Sequence, residues 1–227
     1  MGFMRLFFNR TEGDDMAKST IDIDTSQIER LSEELKSYKK EVVSATRLAL
    51  NRTIDFAITT AGREVSKLYA IKQKEVKESF KSGIKKPTKT NLEASITSTG
   101  HTLSIAHFPH NPDNPLLAKM LAIRYQKTQI KVKIMKSKGF KIINNNPKPF
   151  IASTGTTSAD KTQYNVFARV GKSRLPIMPI KTLSIPQMIT NNEVGEKISK
   201  LTSEKLNERL EHEISRKMEN IQKKVSK

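Results

Sequence analysis

Few side chains in this sequence stand at spacings that chemistry needs. His107 and His110 are three residues apart, an interval that on a helix would turn two imidazoles toward one metal ion. They lie in His107-Phe108-Pro109-His110-Asn111-Pro112, where the prolines forbid a helix, and no third ligand accompanies them. His101 and His212 are isolated. Asp22 and Asp24 have the separation of many magnesium ligands, but two carboxylates ahead of a helical segment also serve its N-terminal dipole. Gly171-Lys172-Ser173 has the ending of a phosphate-cradling loop. Val166 stands where an earlier glycine would let backbone amides wrap the phosphates, so a basic turn after a strand is expected instead. There is no Gly-x-Ser-x-Gly elbow, and 0 cysteines exclude disulfides, thiolate metal sites and cysteine nucleophiles. No catalytic residue, cofactor site or metal site is expected.

Charge is the stronger signal. Across 227 residues, 41 Lys and Arg face 23 Asp and Glu, a net of +18. Such a surplus repels itself on a compact body and points to a polyanion or an acidic protein as partner. The densest positive run is Lys127, Lys131, Lys133, Lys136, Lys138 and Lys141, followed later by Arg169, Lys172 and Arg174. Three readings stay open for this basic face. It is a well-solvated sheet edge, a contact for DNA phosphates with strong salt dependence, or a contact for an acidic protein ring. Aromatic residues are 6% and Trp is 0, a poor stock for stacking bases, and no recognition helix accompanies the charge. Sequence-specific readout of nucleic acid is therefore not expected.

The elements that must carry these residues follow from periodicity. Ile28, Leu31, Leu35, Tyr38, Val42, Ala45 and Ala49 alternate three and four apart, an apolar seam that packs on the chain's own elements or on another subunit. Ser26 with Glu29 makes a capping box at its start, and no proline interrupts residues 26–80. One long helix or two in series is predicted, with Gly62 its weak point, a break near Tyr69-Ala70-Ile71 and a short basic helix over 72–80. Alternation predicts a hairpin from 92–97 and 102–107 turning at Thr99-Gly100-His101, and a second, lysine-rich hairpin from 130–134 and 140–143. Short strands at 150–152 and 164–170 flank a Ser/Thr/Gly-rich loop at 153–163, and Leu175 to Ile180 is extended at a sheet edge because of its prolines. Asn191 or Asn192 caps a closing helix carrying Val194, Ile198, Leu201, Leu206, Leu210 and Ile214.

The fold class is α+β: a long N-terminal helix or helix pair, a central antiparallel sheet and a long C-terminal helix. Residues 1–15 read as an N-terminal extension, since Met16 is itself a plausible start, and 16–227 as a single domain with flanking helices. A hydrophobic share of 36% implies a modest core. No stretch approaches the roughly 20 apolar residues of a membrane span, so a soluble, intracellularly made protein is expected.

Leu48-Ala49-Leu50-Asn51-Arg52-Thr53 resembles the Ala-Leu-Asn-Arg-Thr signature of the phage and prophage minor tail protein Z family. Arg63-Glu64-Val65, Tyr69-Ala70-Ile71, Phe167-Ala168-Arg169, Arg174-Leu175-Pro176-Ile177 and Ile185-Pro186-Gln187-Met188 follow in the family's order. A closing helix over 206–214, with Glu211-His212-Glu213, completes a resemblance spanning 16–220. It implies a non-enzymatic virion component, a tail-completion protein at the tail or neck that enables head–tail joining. It also implies other tail and neck proteins as partners, a homo-oligomeric ring that is sixfold by tail symmetry, and residence in the host cytoplasm during assembly. Non-specific contact with packaged DNA would follow from the charge. A basic protein that binds nucleic acid without sequence preference is the alternative that composition suits equally.

Overall fold

The structure is a computed structural model that describes residues 5–9, 16–23, 39–125, 129–158 and 161–225. The described residues group into two compact units, one drawn from 1–65, 73–100 and 185–227, the other from 66–72 and 101–184.

The first unit is built on two long helices. Helix α1 (Lys39–Leu68, 30 residues) buries a stripe rich in small side chains: Val42, Ala45, Thr46, Ala49, Thr53, Ala57, Thr60 and Ala61. Small residues let a neighbouring element approach closely. Thr53 keeps its hydroxyl satisfied by donating to the Ala49 carbonyl at 2.9 Å. Helix α1 runs through Gly62 without a break and stops at Leu68, beside the expected interruption. A side chain at Gly62 would meet the Lys77 side chain at 3.2 Å, so the glycine admits the short helix α2 (Gln73–Glu78) at close range. Of the predicted seam, Val42, Ala45 and Ala49 are fully buried, while Ile28, Leu31, Leu35 and Tyr38 lie outside the described residues.

A four-stranded sheet joins this unit, ordered β1 (Arg5–Asn9), β2 (Met16–Ile23), β4 (Ala94–His101), β3 (Ile84–Lys85). Strand β1 lies antiparallel to β2, with Arg5 opposite Asp22. Asp22 is thus a strand residue and not an approach to a helix, and Asp24 lies outside the described residues. Period-two burial marks the core side: Ser19 and Ile21 on β2, Ala94, Ile96 and Ser98 on β4. The short helix α4 (Ile185–Ile189) packs on β2 through a largely apolar face. Helix α5 (Asn192–Val225, 34 residues) closes the unit, with Val194, Ile198, Thr202, Leu206, Leu210 and Glu213 buried at steps of four and three.

The second unit holds two three-stranded antiparallel sheets, ordered β5 (His110–Asn111), β6 (Lys131–Val132), β7 (Lys141–Ile142) and β10 (Ile177–Pro179), β9 (Lys161–Arg169), β8 (Phe150–Ser158). The α+β class with long N- and C-terminal helices holds, and among the described residues its antiparallel strands form three small sheets where one central sheet was expected. Segment 66–72 belongs here because Tyr69 bridges to Met135 and the Ala70 amide donates to the Ile134 carbonyl at 2.8 Å.

Two predicted elements differ from the structure for physical reasons. The hairpin over 92–107 does not form. Strand β4 runs straight through Thr99-Gly100-His101, and residues 105–107 are a 3-10 turn. The Leu103 and Ile105 amides instead donate to the Leu183 and Ile180 carbonyls at 3.2 and 3.1 Å, a distant competitor that local alternation cannot reveal. Most of the expected loop at 153–163 is strand: β8 and β9 continue to Ser158 and Lys161, with an irregularity between Ser153 and Thr157. The threonines there favour extended backbone. Conversely, the lysine-rich hairpin forms as β6 and β7, Lys131 opposite Ile142 and Val132 opposite Lys141, and β10 sits at an edge, where Pro179 is tolerated.

Candidate interaction surface

The two units share the chain's charge very unequally. Residues 66–72 and 101–184 contain 16 Lys and Arg against 2 Asp and Glu, a net of +14 out of the chain's +18. The first unit is close to balanced. A surplus of this density sets up a positive potential that draws anionic partners and repels a like surface.

Lys131 lies on β6 and Lys141 on β7, with Lys136 and Lys138 on the 3-10 turn (Lys136–Lys138) between them, and all four are exposed. Lys133 is half-buried, its amide donating to the Pro109 carbonyl at 2.9 Å. Arg169 ends β9, and Lys172 and Arg174 are exposed in the turn toward β10, where Gly171 takes a φ of 86° that its type alone adopts freely. Gly171-Lys172-Ser173 is thus the basic turn that its sequence suggested. Lys127 lies outside the described residues. Among the described residues no carboxylate pairs with any of these cations. Arg169 instead sits over the Phe150 ring, 5.6 Å from its centre.

Two cations that sequence density could not single out join Arg169. Lys119, on helix α3 (Pro115–Tyr125), and Lys148, between two prolines, line one groove with it. The same unit also carries nearly all the exposed apolar bulk. Among the described residues, every exposed large hydrophobic side chain except Ile84 belongs to it. On α3, Leu116, Met120 and Ile123 are 74%, 65% and 74% exposed and share one helical face. Helix α3 itself escaped the sequence reading, although its signal was present: Pro115 opens it, and Asn114 Oδ1 accepts the Leu117 amide at 2.9 Å as a cap.

His110 Nδ1 donates to the Phe108 carbonyl at 3.0 Å. Among the described residues no group of three or more metal-binding side chains comes together, and no helix is long and apolar enough to cross a membrane.

In the first unit, two sequence motifs far apart in the chain meet. Arg52 of Leu48-Ala49-Leu50-Asn51-Arg52-Thr53 pairs with Glu213 of Glu211-His212-Glu213. Glu213 is 0% exposed, and its other oxygen, Oε2, has Arg216 Nη2 at 3.1 Å, an ion pair not aligned for a hydrogen bond. Lys205 lies over the Phe56 ring at 5.8 Å. The contacts 52 to 213 and 56 to 205 rise along α1 as they fall along α5. The two helices are therefore antiparallel.

Residues 27–224 match Prophage minor tail protein Z. The chain belongs to that family. This minor tail protein is a component of the phage tail, and contacts with other tail proteins come with that place. No curated protein and no solved structure matches it. The Arg52–Glu213 pair lies inside the matched span, whereas β1 and β2 precede it. The segments Leu48–Thr53 and Glu211–Glu213, far apart in the sequence, are thus two halves of one helix–helix contact.

Proposed function

We propose that this minor tail protein is a non-enzymatic tail-completion piece, acting at the neck where the finished tail meets the filled head. It docks by shape and charge. The observation that carries the reading is the concentration of +14 of the net charge, with the exposed apolar side chains, on one unit of a phage tail protein. Lysines alone would suit phosphates. Lysines interspersed with Leu116, Met120, Ile123, Phe140 and Met178 suit a protein face, because exposed apolar bulk gains little from a solvated phosphate backbone. The partner that fits is an acidic face of a neighbouring tail or neck protein.

On this reading the first unit is a rigid holder, with α1 clamped to α5, and the second unit presents the contacts. A cyclic ring, sixfold by tail symmetry, is the arrangement proposed for it. The test is electron microscopy of particles made with and without the gene. Separate filled heads and finished tails without it support joining. Normal particles without it refute the reading.

A further inference from the structure

The second unit contains a groove of about 970 Å³ whose walls come from α3, the end of β7, the loop after it and the start of β8. Among the described residues three cations, Lys119, Lys148 and Arg169, stand around it, and no acidic residue lines it. Its apolar surface is mainly aliphatic, from Ile130, Ile142, Ile143 and Ile151, with Phe150 the one aromatic ring among the described lining residues. The three consecutive asparagines 144–146 also line it and supply both donors and acceptors. Strands β7 and β8 are each outermost in their sheets.

We infer that this groove receives an extended, acidic and partly aliphatic peptide segment of a partner protein. Charge selects the occupant. Three cations with no anion among the described lining residues call for compensating negative charge, and a second copy of the same unit, itself +14, is repelled. Shape and surface select a peptide over nucleic acid. Bases need flat aromatic faces to stack on, and the groove's ring, Phe150, is covered by the Arg169 guanidinium. Aliphatic walls and amide side chains suit alternating apolar side chains and a peptide backbone, the pattern read by outermost strands. The inference rests on the second unit being the docking face, and it names the chemistry docked there.

The test is fluorescence anisotropy on the full chain with a labelled peptide of alternating Glu and Val. A Lys-Val peptide and an oligothymidine of equal charge are the comparisons. The Glu-Val peptide is expected to bind best. Lys148→Glu with Arg169→Glu should weaken it by roughly tenfold or more, while Lys200→Glu with Lys223→Glu on α5 changes it less than about twofold. Should the double reversal disturb folding by circular dichroism, Lys148→Gln with Arg169→Gln is expected to show a smaller loss of the same sign. Absence of peptide binding, equal loss in the α5 variant, or tighter binding of oligothymidine would each overturn the inference. Joining of heads to tails is a separate readout. A groove-dead variant that still joins them refutes the groove alone, and a protein that binds peptide but joins nothing refutes the tail-completion reading.

Discussion

Replacing Arg52 with alanine should cost more than removing the carboxylate it serves. Glu213 is 0% exposed, and its charge is held chiefly by Arg52 and, at 3.1 Å, Arg216, with His212 Nδ1 farther off at 3.9 Å. Breaking a buried pair costs about 3–5 kcal/mol when the remaining charge is left uncompensated. Arg216 stays, and the Arg52 side chain is 43% exposed, which lets water partly replace it. Both soften the loss to about 2 kcal/mol, roughly a 30-fold change in the folding equilibrium. Glu213→Leu behaves differently. It takes the buried charge away and leaves two arginines that are 43% and 47% exposed and can hydrate, so its cost should stay within about 1 kcal/mol. The double variant Arg52→Ala with Glu213→Leu should then resemble Glu213→Leu alone. Since Trp is 0, the assay is urea unfolding followed by helical circular dichroism, where 2 kcal/mol moves the midpoint by about 1 M. Arg52→Ala as stable as the parent, or Glu213→Leu worse than Arg52→Ala, would refute the reasoning.

Val42→Asp or Ala49→Asp would bury a carboxylate on the α1 stripe and should cost at least about 3 kcal/mol, read as a lowered unfolding midpoint. Reversing Lys131, Lys133 and Lys136 to glutamate should leave circular dichroism unchanged and depress infectious yield, with undiminished yield removing that face from the mechanism. Glu208 is held below its ordinary value of 4.5, first by its hydrogen bond from Lys205 and then by the surrounding cations. Its contribution to the folded state is thus complete above that value and disappears as pH falls through the lowered one. Lys205→Met should return the Glu208 titration, followed by carboxyl-carbon NMR, toward the ordinary value.

What the sequence disclosed depended on how local the cause was. The end of α1, helix α2, helix α5 and the Lys131–Ile142 pairing are set by periodicity, proline and near neighbours, and all are legible. The missing 92–107 hairpin turns on the Leu183 and Ile180 carbonyls, about eighty residues away, which no window contains. Strand β2 hides because Ser19, a small polar residue, occupies a fully buried position beside Ile21. The candidate surface was legible in half. The dense lysines declared themselves, but Lys119 and Lys148 are solitary in the chain and meet Arg169 only in the fold. Likewise, nothing in the order of residues reveals that 66–72 and 101–184 form one unit, so the unequal division of charge is invisible until the chain is folded. The pairing of Arg52 with Glu213 joins the Asn-Arg-Thr and Glu-His-Glu segments in a way that their separate positions concealed.

Joining in vitro offers the most direct check. Heads and tails prepared from a host lacking the gene can be mixed with graded amounts of the purified protein, without added nucleotide, metal or cofactor. A structural joint predicts infectious particles in proportion to the protein added, saturating at a fixed number of copies per tail. Joining driven to completion by a small fraction of that amount, or no dependence on the protein at all, would contradict it.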